Sequence, residues 1–363
     1  MPYGTFAVII IGALFYFGDP YGNPRYRGPI SDHFDGERFF NPGVTSERGF
    51  RDFLRWQLHS RRGVWSEFRK APCGPPPPRV VEGDNLRVTF INHSTTLIQT
   101  AGLNILTDPV WSKRVGPVFW LGPRRHRSPG LRLEDLPKID VVLLSHNHYD
   151  HLDIPTLRRI QEIHAPQFVV PLGVCALLDR KKLRPSIELD WWNEADLPHG
   201  IHVTCVPAQH FSVRGFRDHN RALWCGYVLE GPGGRIYFAG DTGYGPHLKK
   251  IAQKFAPVRL ALLPIGAYKP NWFMSPVHIS PRESLKLHHV IGAETSIAIH
   301  FGTFALADDG EKEAAQDLAD AVTSAGEPAP RFWVLDFGDG RDLPPERPLQ
   351  SPAGAVEHFQ KST

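Results

Sequence analysis

Residues 139–153 read IDVVLLSHNHYDHLD, an apolar run that ends abruptly in His146, His148, Asp150 and His151. A buried strand over 141–144 therefore delivers a dense set of metal-ligating side chains to one loop. In extended chain, positions i and i+2 share a side, so His146 and His148 can converge on one metal. Asp150 and His151 then point elsewhere, toward a second. Three imidazoles and a carboxylate without a thiolate suit Zn²⁺ better than Mn²⁺ or Fe²⁺. The C-terminal end of a strand is also where α/β proteins bind ligands. One loop cannot close two metal sites, and three more apolar runs end in ligands. CVPAQHF carries His210, IYFAGDTGY carries Asp241, and SIAIHFGTF carries His300. Gly240 and Gly243 give the Asp241 turn its backbone freedom.

The rest of the chain confines these ligands to a mixed α/β body. Strand-like runs occur at 87–99, 103–107, 139–145, 167–171, 202–206, 224–230, 235–239, 259–264, 296–300 and 331–335. Helical stretches lie near 155–164, 173–183, 244–256, 280–291 and 311–325. Sheets with helices on their faces are expected. Ser280, Pro281 and Glu283 announce one helix by a capping box. Upstream, 46–69 patterns as an amphipathic helix with Phe50, Phe53, Leu54 and Leu58 on its apolar face. APCGPPPPRV (71–80) then stops regular structure, and a domain boundary is expected there. The expected divisions are an apolar segment at 1–20, an extension and Pro-rich linker at 21–80, a catalytic body at 81–340, and a flexible tail at 341–363.

Residues 5–17, TFAVIIIGALFYF, carry no charge. As a helix they span ~20 Å, short of a ~30 Å hydrocarbon core, and no small-residue cleavage site follows. A buried or mis-started N-terminus and a membrane-dipping anchor remain the alternatives. Arg25 and Arg27 follow the run and would hold the body on the cytoplasmic side. A net charge of +3 over 363 residues argues against a dedicated nucleic-acid binder. Cys73, Cys175, Cys205 and Cys225 form no CxxC, which argues against a disulfide framework or a thiolate zinc site. The last three are read as buried and inert.

HNHYDHLD followed by His210, Asp241 and His300 resembles the metallo-β-lactamase superfamily. Further stretches resemble one branch of it, the N-acylphosphatidylethanolamine-hydrolysing phospholipase D family. They are LTDPVW (106–111), LGPRRHRSP (121–129), SHNHYDHLD (145–153), ELDWW (188–192), FAGDTGY (238–244), PIGAYKPNWFM (264–274) and AIHFGTFAL (298–306). The HxHxDH core is specific only for the superfamily, and ELDWW and GAYKPNWFM select the branch. The resemblance implies an αββα sandwich with two zinc ions at the edge of its sheets. It implies His146, His148 and His210 on one ion, and Asp150, His151 and His300 on the other. Asp241 would bridge them, and His278 would stand beside the site, donating to a phosphate oxygen or protonating a leaving group. The sequence departs from the family at Asn92, where a glycine is usual before the histidine, and after His210, where the family tends to carry a basic side chain sooner than Arg214 and Val213 is apolar.

Other candidates carry weaker signals. Trp191, Trp192, Tyr268, Trp272, Phe273 and Met274 could line an acyl groove or pack the core. Tyr149 sits inside the metal loop and could face substrate. Arg124, Arg125 and Arg127 are candidate phosphate partners. The basic and aromatic stretch 109–130 could meet an anionic membrane or form a solvated loop. His93 is expected to be structural, His288 and His289 near a helix surface, and His126 in a charged surface. The leading function is a dinuclear zinc phosphodiesterase that cleaves N-acylphosphatidylethanolamine or a related phospholipid to phosphatidic acid and an N-acylethanolamine. The alternative is a soluble metal-dependent hydrolase of a polar substrate, such as a phosphosugar lactonase. The expected partners are a phospholipid and a membrane surface, not nucleic acid, with a second copy of the chain as a candidate. The expected location is cytoplasmic, at a membrane.

Overall fold

The central strands are buried on both faces, which a sheet tolerates only when each face is covered. The computed structural model describes residues 21–44, 48–118, 120–184 and 186–345. In chain order the elements are α1 (Phe50–His59), β1 (Leu86–Asn92), β2 (Thr95–Thr100), β3 (Leu103–Thr107), β4 (Val141–Leu143), α2 (Ile154–His164), β5 (Gln167–Pro171), α3 (Val174–Arg180), β6 (Ser186–Leu189) and β7 (Glu194–Leu197). There follow β8 (Ile201–Pro207), β9 (Cys225–Glu230), β10 (Ile236–Phe238), α4 (Pro246–Phe255), β11 (Val258–Pro264), α5 (Asn271–Met274), α6 (Pro281–Val290), β12 (Ala293–Ile299), α7 (Glu313–Ser324), β13 (Phe332–Trp333) and β14 (Gly340–Asp342).

Two seven-stranded sheets result, in the orders β14-β1-β2-β3-β4-β5-β6 and β13-β12-β11-β10-β9-β8-β7. Their inner faces share one core, with Phe90, Ile105 and Val169 meeting Val203, Leu229, Leu262 and Ile297. The outer face of the first sheet packs on Leu157 and Ile160 of α2 and Leu177 of α3. The outer face of the second packs on Leu248 and Ile251 of α4, Leu287 of α6 and Leu318 of α7. The layers are therefore αββα, as expected.

Strand direction places the site. β3 and β4 run parallel, and β1 runs with them because β2 is antiparallel to both its neighbours. In the other sheet β10, β11 and β12 are parallel, and β8 shares their direction through antiparallel β9. The residues after β1, β3 and β4, and after β8, β10 and β12, thus emerge at C-terminal strand ends.

The local differences from expectation have plain causes. The run 87–99 is two strands, because His93 takes a left-handed φ of 48° and turns the chain. β6 and β7 were missed because they are edge strands with little fully buried surface. Arg341 and Asp342, expected to open a flexible tail, instead pair with β1, and residues from 346 onward lie outside those described. The helix expected over 46–69 is only Phe50–His59, because Asp308 captures the chain as it leaves. It accepts from Ser60 Oγ at 2.6 Å, from the Arg61 amide at 3.2 Å and from Trp56 Nε1 at 3.0 Å. Trp56 is the buried anchor of α1, while Phe53, Leu54 and Leu58 of the expected buried face are exposed. Residues 71–80 lie along the body, with the Pro78 and Arg79 carbonyls accepting from Gln99 and Asn104. His288 is buried against Ser296 Oγ at 2.8 Å, and only His289 faces outward. His126 is half-buried and bonded to the Ser66 carbonyl at 2.5 Å. No helix among the described residues is long and apolar enough to cross a membrane, and the 5–17 run lies outside them. The four cysteines are unpaired; Cys205 and Cys225 are buried, and burial pushes the half-buried Cys175 thiol up to about 11.

The extension also docks through His33. Its ring lies 4.4 Å from that of Trp191, with Nδ1 2.6 Å from Asp32 and Nε2 2.7 Å from Asp190. Burial disfavours the charged ring, but hydrogen bonds and charge from Asp190 and Asp32 hold its pKa above the usual imidazole value. A raised folded-state pKa contributes stability that is complete below the unfolded value of ~6.5 and is lost as pH rises through the folded one. The thermal midpoint of His33→Gln should therefore fall furthest below wild type under pH ~6.5, and the gap should narrow at alkaline pH. A gap independent of pH would show that the ion pairs do not hold the extension.

Candidate metal centre

The site begins with Asp108, just beyond β3, a residue held at a left-handed φ of 32°. Its carboxylate accepts from Ser145 N and Oγ at 2.7 and 2.5 Å and from His151 Nδ1 at 2.6 Å. Ser145 Oγ in turn lies 2.9 Å from His146 Nδ1. A carboxylate can only accept, so the Nδ1 proton of His151 is held on Asp108 and Nε2 is the nitrogen left for a cation. His210 donates from Nδ1 to the Val277 carbonyl at 2.9 Å, with the same consequence. Asp108 was not singled out from the sequence; its signal is an aspartate directly after an apolar strand, in LTDPVW.

Two groups of donors form. His146 Nε2 and His210 Nε2 lie 2.8 and 3.2 Å from His148 Nδ1. Bonds of 2.0–2.1 Å to one zinc would set tetrahedral ligand atoms roughly 3.3 Å apart, close to these separations. In the second group His151 Nε2 lies 3.3 Å from Asp150 Oδ2 and 3.2 Å from Asp241 Oδ2. His300 Nε2 lies 3.6 and 3.0 Å from the same two oxygens. Asp241 Oδ2 is also 3.8 Å from His210 Nε2, which puts this oxygen between the groups. Gly240, at φ 61°, makes the turn, and a Cβ there would come within 2.7 Å of Ser145. All seven ligands expected from the sequence are thus brought together.

Burial makes the donors fit a cation. His151 Nε2, His300 Nε2 and Asp241 Oδ1 are buried without a hydrogen-bond partner. Leaving such groups unpaired is costly, and a metal ion satisfies them. Burial disfavours charge on His151 and His300, yet the neighbouring carboxylates win. They hold His151 well above its usual value and push His300 up to about 9, with Asp241 the leading partner of each. Burial would raise Asp150 and Asp241, but the surrounding histidines hold both well below the usual carboxylate range. The negative potential behind these shifts favours cations at this point.

His93 is a positioning residue rather than only a structural one. Its Nε2 lies 2.9 Å from Asp150 Oδ2, and burial, with His300, pushes its pKa down to about 3, so the neutral ring donates to the carboxylate. His278 stands where the resemblance implied, with Nδ1 3.9 Å from Asp241 Oδ2, and burial pushes it down to about 4. From the extension, Asn41 donates to the His210 carbonyl at 2.8 Å and accepts from its amide at 3.3 Å.

A cavity of about 470 Å³ opens over the donors, lined by His148, Asp150, His210, Asp241, His278 and His300. Its apolar wall is Val44, Phe53, Trp56, Phe211, Phe273, Met274, Val277 and Leu306, with Arg48 on one side. Trp191, Trp192, Tyr268 and Trp272 do not line it. Trp191 packs on His33 and donates to the Trp224 carbonyl. Trp192 packs into the core behind the second sheet. Tyr268 is buried there and donates to Asp317 at 2.5 Å, and Trp272 lies beneath Arg55. Arg124, Arg125 and Arg127 are also elsewhere. Arg125 is spent on the Val110 and Ser112 carbonyls, Arg127 on Asp336, and Arg124 lies over Phe68. Trp111, inside the same 109–130 stretch, donates to the Leu131 carbonyl at 3.0 Å. These side chains were indistinguishable from groove residues by composition alone.

Arg214 closes the metal loop from outside. One nitrogen, Nη1, donates to the Asn147 and Leu152 carbonyls at 2.7 and 2.8 Å, spanning His148, Asp150 and His151. Removing it leaves two buried carbonyls unpaired, at about 1–3 kcal/mol each. Arg214→Met should weaken metal affinity about 10–100-fold, measured by competition with a chromophoric chelator, and Arg214→Lys should recover part of the loss. Unchanged affinity would mean that the loop is held without it.

The Beta-lactamase superfamily domain matches residues 103–301. N-acyl-phosphatidylethanolamine-hydrolyzing phospholipase D 1 of Caenorhabditis elegans is 40% identical over 60% of this chain and 64% of its own length. The mitochondrial N-acyl-phosphatidylethanolamine-hydrolyzing phospholipase D of Saccharomyces cerevisiae is 36% identical over 61% of this chain and 48% of its own. The chain thus spans less than two thirds of either relative. Among solved structures, Igni18, a metallo hydrolase of Ignicoccus hospitalis, superposes with a TM-score of 0.55 at 20% identity, over 72% of this chain and 99% of its own. With more than half of its residues in the matched domain, and both donor groups inside that match, the chain belongs to the β-lactamase superfamily, in its metallo branch.

Proposed function

We propose that the protein is a dinuclear, zinc-dependent phosphodiesterase that hydrolyses N-acylphosphatidylethanolamine or a related phospholipid, cleaving on the phospholipase D side. The observation that carries this reading is the joining of two donor groups at Asp241 to a cavity with apolar walls. The names of the worm and yeast relatives support the same substrate class. His146, His148 and His210 would hold one ion, and Asp150, His151 and His300 the other, with Asp241 shared. Two such ions supply neutralisation of phosphoryl charge and activation of water near neutral pH.

The chain's own residues do the rest. Asp108 and the Val277 carbonyl fix the tautomers of His151 and His210, and His93 fixes Asp150. His278, neutral at physiological pH, is suited to donating a hydrogen bond to a phosphoryl oxygen rather than to supplying a proton. Arg48 adds a cation to the cavity wall, where a phosphate charge would be met. Phe53, Trp56, Phe211, Phe273 and Met274 offer hydrocarbon chains an apolar surface and keep water out. That wall disfavours the alternative of a sugar-like polar substrate.

Metal analysis should find about two ions per chain. Asp241→Asn should lose more metal than His210→Ala, because the shared carboxylate serves both groups. Full activity after thorough chelation would overturn the metal dependence. Turnover in ¹⁸O-water should place the label in phosphatidic acid, since water oxygen joins phosphorus while the N-acylethanolamine departs with its own oxygen. Label in a free fatty acid would instead mean ester or amide cleavage.

A further inference from the structure

The donor groups are reached from two directions. Besides the large cavity, a second one of about 230 Å³ opens onto His148 and Asp150. Both cavities share these two donors and Leu306, and beyond these three residues their linings differ. Val115, Pro123 and Val213 give the smaller cavity its apolar side. Tyr149 and Arg214 complete it, with the guanidinium 3.9 Å over the Tyr149 ring.

The charges in the smaller cavity are already committed. Arg214 is buried and turned to the carbonyls of Asn147 and Leu152. Asp150 belongs to the donor group. An anionic substituent would find no available cation among these lining residues and would face a carboxylate, which disfavours it. Arg48 lies in the large cavity instead. Val213, apolar and half-buried, suits an uncharged ligand.

A phosphodiester carries two substituents on one phosphorus, and a centre that binds the phosphorus must accommodate both. We infer that the smaller cavity is a second substrate subsite, which takes the uncharged alcohol-derived arm of the diester while the large cavity takes the glycerolipid arm. This assignment rests on the phosphodiesterase reading above. It gives Tyr149 a place against substrate, and it makes Val213 and Pro123 determinants of which arm is accepted. Overpacking the smaller cavity should then discriminate by the size of that arm.

The test uses the metal-loaded, full-length protein and two phosphodiesters with the same diacylglycerol. One carries a methyl group as its second arm and the other an N-palmitoylethanolamine. The readout is the ratio of kcat/KM for the long arm over the short. Val213→Trp should lower this ratio about tenfold, and Val213→Ala should not lower it. Pro123→Trp, at an exposed rim position less exposed to folding failure, should lower it in the same direction. Metal content is measured on every variant. An unchanged ratio in both tryptophan variants, each retaining its metal, would overturn the subsite. So would a Phe273→Trp variant of the large cavity that alone changes the ratio, since the arms would then lie the other way. If the wild type cleaves neither diester, the phosphodiesterase reading itself fails and takes this subsite with it. If the wild type cleaves both and the ratio does not move, only the subsite fails.

Discussion

Imidazole nitrogens and carboxylate oxygens buried without partners carry a desolvation cost, and much of the surrounding architecture serves to hold them. Asp108 does the most, because one carboxylate decides which nitrogen of His151 is left for a cation and, through Ser145, steadies His146. Its own backbone is strained, as are those of His93 and His300, all with positive φ. Strain of about 1–3 kcal/mol per residue persists only where surrounding contacts leave no alternative. Here the contacts are mutual, since the His300 amide donates to the His93 carbonyl at 2.8 Å and His93 holds Asp150. A cation among these groups relieves the cost and turns a destabilising cluster into a binding site.

The extension belongs to the same system. Its side chains reach the site at Asn41, which brackets the backbone of His210, and at Phe53 and Trp56, which wall the large cavity. The anchors lie further out, at Asp308 for α1 and at Asp190 for His33. A loss of docking would therefore alter the cavity before it altered the sheets. The apolar residues left exposed on α1, Leu54 and Leu58, lie outside that packing and are distinct from those that shape the site.

Much of this was legible in the chain. The ligand-bearing loops follow apolar runs, and an apolar run of five to seven residues next to Gly or a polar turn reads directly as a strand end. Ser280, Pro281 and Glu283 cap α6 as their order implies. The edge strands were not legible, because half-exposed residues such as Glu194–Leu197 have no strong alternation. The aromatic pairs misled for a different reason. A tryptophan that packs a core and one that lines a groove have the same composition and spacing, and Trp191, Trp192 and Tyr268 proved to be packing residues.

What the sequence by itself determined is the donor set and the kind of fold that could present it, since ligand chemistry and strand periodicity are local properties. The tertiary structure alone decided which donors face one another, because His146, His210 and His300 come from both sheets and meet only when those sheets are stacked. It also decided which arginines are spent on the backbone. Arg125 and Arg214 look alike in sequence to Arg48, yet backbone carbonyls up to 67 positions away in the chain engage the first two. Hydrogen bonds of that kind depend on where distant segments come to rest, and no local pattern encodes them.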